Sequence, residues 1–303
     1  MKCKNSVWDY IFLARPILLI PVWAFFLIGY YKAGGERFRF NKTFIFTIIA
    51  YTGLLSILYI LNQIADKKSD AINQKHLLIA EGMMSLRSAY IEIGILLVAT
   101  IIFSINLPPI IIIFMIISFL FGIFYSLPPF KMKAIPFADF LINGIGYGFV
   151  NFSVGWLTID KFSNQCIISS LPYVLAVSAI FVNTTVLDIE GDKKCGYLTT
   201  GVLLNRINAS RLGLFLILAC TITSFFLKDY ICFIPSVIAL PLFAMAALNG
   251  EDKYVTLSIR IGGPLLILIV GIIFPYFLII AILIFLFLRI YYKQKFGINY
   301  PGL

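Results

Sequence analysis

Long apolar runs alternate with short polar breaks along the whole chain. A membrane-spanning helix needs about 20 mostly apolar residues. Runs of that kind sit near 11–31, 42–65, 88–106, 108–127, 137–159, 167–187, 211–228, 230–249 and 263–289. Pro108-Pro109 separates the third run from the fourth and Lys228-Asp229 the seventh from the eighth, so both connections are short. The pattern predicts an all-α, polytopic membrane protein with nine spans in a single domain over 1–303. Composition supports that class: 61% of residues are hydrophobic and only 13% charged, whereas soluble domains carry roughly a quarter. A formal charge of +10 would suggest nucleic acid for a soluble chain; here it predicts basic loops at an anionic lipid surface and no nucleic-acid partner. Cys3, Cys166, Cys195, Cys220 and Cys232 show no CxxC spacing, and read as small core residues. The first apolar run follows a short, mixed, basic N-terminus and reads as a span, not a cleaved leader.

Nine spans set the sides. Lys32, Arg37, Arg39, Lys42, Lys161, Lys228, Arg289, Lys293 and Lys295 fall on one side, and the other fifteen of the 24 basic residues fall with the N-terminus. That bias predicts a cytoplasmic N-terminus, as in the plasma membrane of a prokaryote.

Two polar clusters interrupt the pattern where spans end on that same face. The first runs from Asn62 through Lys67 and Lys68 to Asp70, with Asn62, Asp66 and Asp70 at i, i+4 and i+8, along one helix face. The second is Asp188-Ile189-Glu190-Gly191-Asp192. Each follows an even-numbered run and opens a loop of about 20 residues, longer than most connections and often functional; the similar placement hints at duplication of a four-helix unit. Five of the fourteen carboxylates lie in these segments. Carboxylates at a membrane boundary are costly unless paired or metal-bound. An oxygen-only donor set without His or Cys favours a hard cation such as Mg²⁺, which shares its coordination between one or two carboxylates and substrate phosphates. Two Asp pairs would suit two Mg²⁺ ions gripping one diphosphate. Arg15, Lys67, Lys131 and Lys193 offer further positive charge on that face.

The stretch Tyr125-Ser126-Leu127-Pro128-Pro129-Phe130-Lys131-Met132-Lys133 ends the fourth run. Taken with N-x3-D-x3-D at Asn62, Asp66 and Asp70, D-x-E-G-D at Asp188 to Asp192 with Gly196 and Thr199 beyond it, and Arg15-Pro16 at the first run, it makes the chain resemble the UbiA superfamily of intramembrane prenyltransferases over nearly its whole length. The resemblance implies nine helices around a central cavity, as two four-helix-like halves plus one helix. It implies Mg²⁺ and an isoprenyl diphosphate bound by Asn62, Asp66, Asp70, Asp188 and Asp192, with Tyr125 and Lys131 near the substrate. The prenyl group would pass to a lipophilic acceptor: a quinone-precursor-like aromatic ring, or alternatively a glycerol lipid, a tetrapyrrole or a polyene. No obligate protein partner is evident. Two departures stand out. Leu77-Leu78 replaces an Arg-Pro common in the family, leaving Lys67, Lys75 or Arg87 to supply its charge, and Asn205 stands where glycine is common. The competing class is a cation transporter, against which the acids cluster at helix ends beside lysines. Among the remaining polar residues, His76 reads as loop polarity, Glu92 as a hydrogen-bonded structural carboxylate, and Asp139 and Asn143 as part of a glycine-rich, closely packed fifth span.

Overall fold

The computed structural model describes residues 6–72 and 76–300; Lys2, Cys3, Lys4, Lys75 and the side chain of Lys68 lie outside the described part. Helix α1 (Val7–Leu13) meets α2 (Pro16–Lys32) at a bend of 50°. Arg15 takes a left-handed φ of 52° at the bend and Pro16 opens α2, where its missing N–H costs nothing. Asn41 starts α3 (Lys42–Ala65) by accepting the Phe44 N–H at 2.7 Å. There follow α4 (Lys67–Ile72), α5 (Leu86–Ser104) and α6 (Pro109–Ser126). The fifth apolar run is a broken helix of α7 (Ala138–Ile145), a π-helical turn over Gly146–Asn151 and α8 (Phe152–Trp156). Beyond it come α9 (Asn164–Leu187), α10 (Ile189–Lys194), α11 (Thr200–Phe226), α12 (Tyr230–Asn249), α13 (Asp252–Ile273) and α14 (Pro275–Phe296). Among the described residues there is no strand, and eight helices are long and apolar enough to cross a membrane, or nine with the bent α1–α2 pair as one. The chain is an integral membrane protein, and nine lies at the upper end of that range, although the range leaves out the broken fifth run and takes two helices, α13 and α14, from the last one.

The four-helix repeat that the sequence only hints at is explicit in the fold. Adding 122 to a residue number carries Lys42–Ala65 onto Asn164–Leu187 and Lys67–Ile72 onto Ile189–Lys194. The same shift carries α6 into α12, and Arg15 onto Phe137, the residue before α7, whose φ is also positive at 64°. The halves clamp together at glycines. A Cβ on Gly29 of α2 would lie 1.9 Å from the Phe152 carbonyl oxygen, and one on Gly155 of α8 equally close to that of Phe26. Small residues of this kind let two helix backbones approach within a membrane.

One boundary differs from the sequence pattern. The last apolar run, 263–289, is divided at Phe274 (φ −121°, ψ 82°), after which Pro275 restarts the chain as α14. Proline supplies no N–H to continue the ladder, and the apolar residues on both sides hide the break from a hydropathy count. The chain therefore returns to its N-terminal end, where Asp9 accepts hydrogen bonds from Tyr291 Oη at 2.6 Å and pairs with Lys295 Nζ at 3.0 Å. Arg289, Lys293 and Lys295 were expected on the opposite side; α14 carries them toward this end. Moving these three to the N-terminal side strengthens the orientation bias.

Candidate active site

Both aspartate motifs are built by the same local device. Each long helix stops at an aspartate in a relaxed conformation: Asp66 at φ −93°, ψ 6° after α3, and Asp188 at φ −92°, ψ 0° after α9. A six-residue helix then continues in each case. The i→i+4 backbone bonds run through the junctions, Asp66 N to Asn62 O at 2.9 Å and Asp70 N to Asp66 O at 2.8 Å, with Asp188 N to Thr184 O at 3.2 Å and Asp192 N to Asp188 O at 2.8 Å. The predicted stripe of Asn62, Asp66 and Asp70 thus survives the break. Asp66 and Asp70 are buried, whereas Asp188 is exposed and Asp192 half-buried.

A single loop links the first motif to the segment just beyond the second. Lys131 sits at φ 40° before a 3-10 turn over Met132–Ala134. This reversal sends its two lysines to different partners. Lys133 Nζ pairs with Asp66 Oδ2 of the first motif. Lys131 Nζ bonds Tyr197 Oη at 2.5 Å and lies 4.5 Å from the ring centroid. Two residues on, Thr199 Oγ1 donates to Asp192 Oδ2 of the second motif at 2.9 Å. Asn62 extends the first motif into the helix layer, its Nδ2 donating to Asp66 Oδ2 at 3.0 Å and Ser126 Oγ at 2.9 Å.

Directly above Asn62 lies a cavity of about 290 Å³ lined by Arg15, Asn62, Tyr59, Tyr125, Asn143 and Tyr147 among others. Tyr59 and Tyr147 join their hydroxyls at 3.1 Å. A second cavity of about 320 Å³ lies beyond, sharing Leu18, Tyr147 and Phe181 with the first and otherwise almost wholly apolar.

Of the predicted site residues, the structure joins Asn62 to Asp66 and places Arg15, Asn62 and Tyr125 on one cavity. Lys67 and Lys193 are exposed, so the buried pairing to Asp66 belongs to Lys133. Leu77 and Leu78 are both buried, Leu78 in a cluster with Phe12 and Tyr292, and Arg87 is exposed. His76 is the expected loop residue, 2.9 Å from Glu81. Glu92, expected to be hydrogen-bonded, keeps Oε2 buried without such a partner among the described residues. Asp139 proves to be a cap: it accepts the Thr200 N–H and hydroxyl, each at 2.6 Å, at the start of α11. The Asn205 departure also acquires weight, because its backbone (φ 61°, ψ 169°) favours glycine. Sequence reasoning missed Tyr59, Tyr147, Asn151 and Tyr197. The first three had a signal: Tyr59 is one turn before Asn62, and Asn143, Tyr147 and Asn151 recur every four residues. Tyr197 had none.

Among the described residues no group of three or more Asp, Glu, His or Cys gathers at one point. The carboxylates come instead as a pair per motif, which fits Mg²⁺, since that ion keeps waters and takes phosphate oxygens beside one or two carboxylates.

Residues 22–253 match the model of the UbiA prenyltransferase family. The bacteriochlorophyll synthase 34 kDa chain of Chloroflexus aurantiacus is 25% identical over 212 residues, covering 67% of this chain and 68% of that protein. A homogentisate solanesyltransferase, chloroplastic, of Arabidopsis thaliana is 30% identical over 196 residues, covering 60% of this chain and 50% of that protein. The match spans about half the length of that plant relative, as does the match to a probable homogentisate phytyltransferase 2, chloroplastic, of Oryza sativa subsp. japonica, 32% identical over 187 residues and covering 56% of this chain and 48% of that protein. Among solved structures, a UbiA homolog from Archaeoglobus fulgidus bound to GPP and Mg²⁺ superposes with a TM-score of 0.67 at 17% identity, over 88% of this chain and 99% of that one. At that identity the likeness establishes the fold.

Proposed function

The chain belongs to the UbiA prenyltransferase family, and we propose that it transfers a prenyl group from an isoprenyl diphosphate to a lipophilic aromatic acceptor, as a single domain over 1–303. The observation that carries this reading is the Lys131–Lys133 loop beside a cavity lined by Asn62: Lys133 pairs with Asp66 of the first motif, and Lys131 bonds Tyr197, whose near neighbour Thr199 holds Asp192 of the second. Asp66, Asp70, Asp188 and Asp192 would hold Mg²⁺, with Asn62 beside them; the metal supplies Lewis-acid stabilisation of the departing diphosphate. Lys133 and Arg15 add fixed positive charge on the cavity side of that group, while Lys67, Lys131 and Lys193 add it at the rim. An allylic cation formed at the mouth meets the aromatic faces of Tyr125, Tyr147 and Tyr59, which favour positive charge. Leu18, Leu55, Leu58 and Phe121 keep water from it. The names of the plant and bacterial relatives favour an aromatic or tetrapyrrole acceptor over a glycerol lipid or polyene. The excess of basic residues at this end of the bundle supports a site that faces the cytoplasm, in the plasma membrane of a prokaryotic cell.

The test incubates the purified chain with radiolabelled geranyl, farnesyl or geranylgeranyl diphosphate, Mg²⁺ and a panel of acceptors. Asp66→Ala and Asp188→Ala are expected to abolish Mg²⁺-dependent diphosphate binding and transfer, and chelation should do so reversibly. Unchanged binding in both variants, or cation flux in liposomes without diphosphate affinity, would sink the proposal.

A further inference from the structure

The first cavity runs inward along one face of α3, where Asn62, Tyr59, Leu58 and Leu55 line it in succession. At its inner end, eleven residues and about 16 Å of helix from Asn62, stands a buried polar group that none of the diphosphate chemistry uses. Tyr51 Oη donates to Asn151 Oδ1 and lies 2.8 Å from Ser118 Oγ. All three residues are at least nine-tenths buried, and Ser118 and Asn151 form part of the cavity wall. Because the phenol proton goes to Asn151, Ser118 must donate to Tyr51. Asn151 Nδ2, which donates to no other group among the described residues, remains a hydrogen-bond donor, and Ser118 Oγ keeps lone pairs to accept.

A hydrocarbon chain pressed against such groups would leave them unsatisfied, which is costly in a dry site. Apolar space of similar volume lies next door, behind Leu18, Tyr147 and Phe181, lined by residues such as Phe25, Ile180 and Phe243. The two cavities therefore suit different halves of a reaction: one takes a chain, the other a molecule with oxygen at its far end.

We propose that Asn151, with Ser118 and positioned by Tyr51, is an acceptor-recognition subsite that binds a hydroxyl or carbonyl on the end of a flat ring remote from the carbon being alkylated. The inference rests on the transferase reading above and adds what the acceptor must carry. It assigns Asn151 a specificity role and Tyr51 a positioning role. The π-helical turn over Gly146–Asn151 changes the angular spacing along the fifth helix, at the segment that carries both Tyr147 and Asn151, and such turns occur often at functional sites.

The test is equilibrium dialysis of the full chain in detergent, with geranyl diphosphate and Mg²⁺ present, using 1-naphthol and naphthalene as probes against protein-free micelles. The wild type is expected to hold naphthol about tenfold more tightly than naphthalene, the worth of one neutral hydrogen bond. Asn151→Leu should bring the ratio to within twofold, and Tyr51→Phe should lower it part of the way, both with geranyl diphosphate affinity unchanged. A wild type without preference, or an Asn151→Leu ratio equal to that of the wild type, overturns the proposal. Should Asn151→Leu also lose geranyl diphosphate, Tyr51→Phe decides alone, and an unaltered ratio there overturns it. A wild type that prefers naphthol but binds no geranyl diphosphate would refute the transferase reading and leave this subsite standing.

Discussion

Replacing Lys133 by Met tests which lysine serves the diphosphate. Methionine keeps much of the stem and removes the charge, so packing changes little while Asp66 loses this ion pair. Two effects oppose each other. Freed of Lys133, the Asp66 carboxylate is a better ligand for a cation, which should lower the Mg²⁺ concentration needed for half-saturation. The diphosphate, however, loses a fixed positive charge at the mouth of the cavity. A unit charge about 4 Å from a phosphate oxygen is worth about 4 kcal/mol at an effective dielectric of 20. The Lys133 side chain is 17% exposed and already paired to Asp66, so roughly half that value survives, about 2 kcal/mol, or about thirtyfold in affinity. The diphosphate effect wins at saturating metal. Lys67, which the sequence alone favours over Lys133, is exposed, and Lys67→Met should cost less than about threefold, because solvent and salt screen it. The assay is equilibrium binding of radiolabelled geranyl diphosphate to detergent-purified protein at saturating Mg²⁺. A Lys133→Met affinity within twofold of wild type, or an equal loss in Lys67→Met, would refute the reasoning.

Three stability predictions follow from particular contacts, each read as thermal or denaturant unfolding in one detergent. Asn205→Gly relieves a backbone conformation that costs a side chain about 1–3 kcal/mol; after the larger chain entropy of glycine, a gain of about 1 kcal/mol is expected, and a loss would show that the Asn205 side chain contributes more than its strain removes. Gly155→Ala places a methyl against the Phe26 carbonyl, a backbone atom that cannot swing aside; the halves must separate, at about 3 kcal/mol or more, and a wild-type unfolding midpoint would contradict the close crossing. Asp139→Ala strips the cap from Thr200 and should cost about 3 kcal/mol, while surviving folded protein keeps its geranyl diphosphate affinity; selective loss of that affinity would instead put Asp139 in the site.

The long spans were legible because a lipid-embedded helix must satisfy its own backbone, so run length and apolarity report it directly. The two aspartate motifs were legible for a related reason. Their four-residue spacing is a helical face, and the backbone bonds at Asp66 and Asp188 preserve that spacing across each helix end. Where chain continuity conflicts with hydropathy, the pattern failed. Phe274-Pro275 is as apolar as the helices it divides, so only the folded chain shows the reversal that brings Lys295 to Asp9. Asp139, Asn205 and Tyr197 were opaque because their partners, or their backbone angles, are set by segments remote in sequence or by a single torsion.

By itself, then, the sequence determined that the chain crosses a membrane repeatedly and carries two carboxylate motifs on one face, since both follow from residue type and local period. Tertiary structure decided which charges and polar groups act together. Lys131 and Lys133 are equivalent as letters, but the left-handed φ at Lys131 turns one toward Tyr197 and the other toward Asp66. Tyr51, Ser118 and Asn151 lie on three different helices, and no local pattern relates them. Helix packing alone brings their hydrogen-bonding groups to the inner end of one cavity.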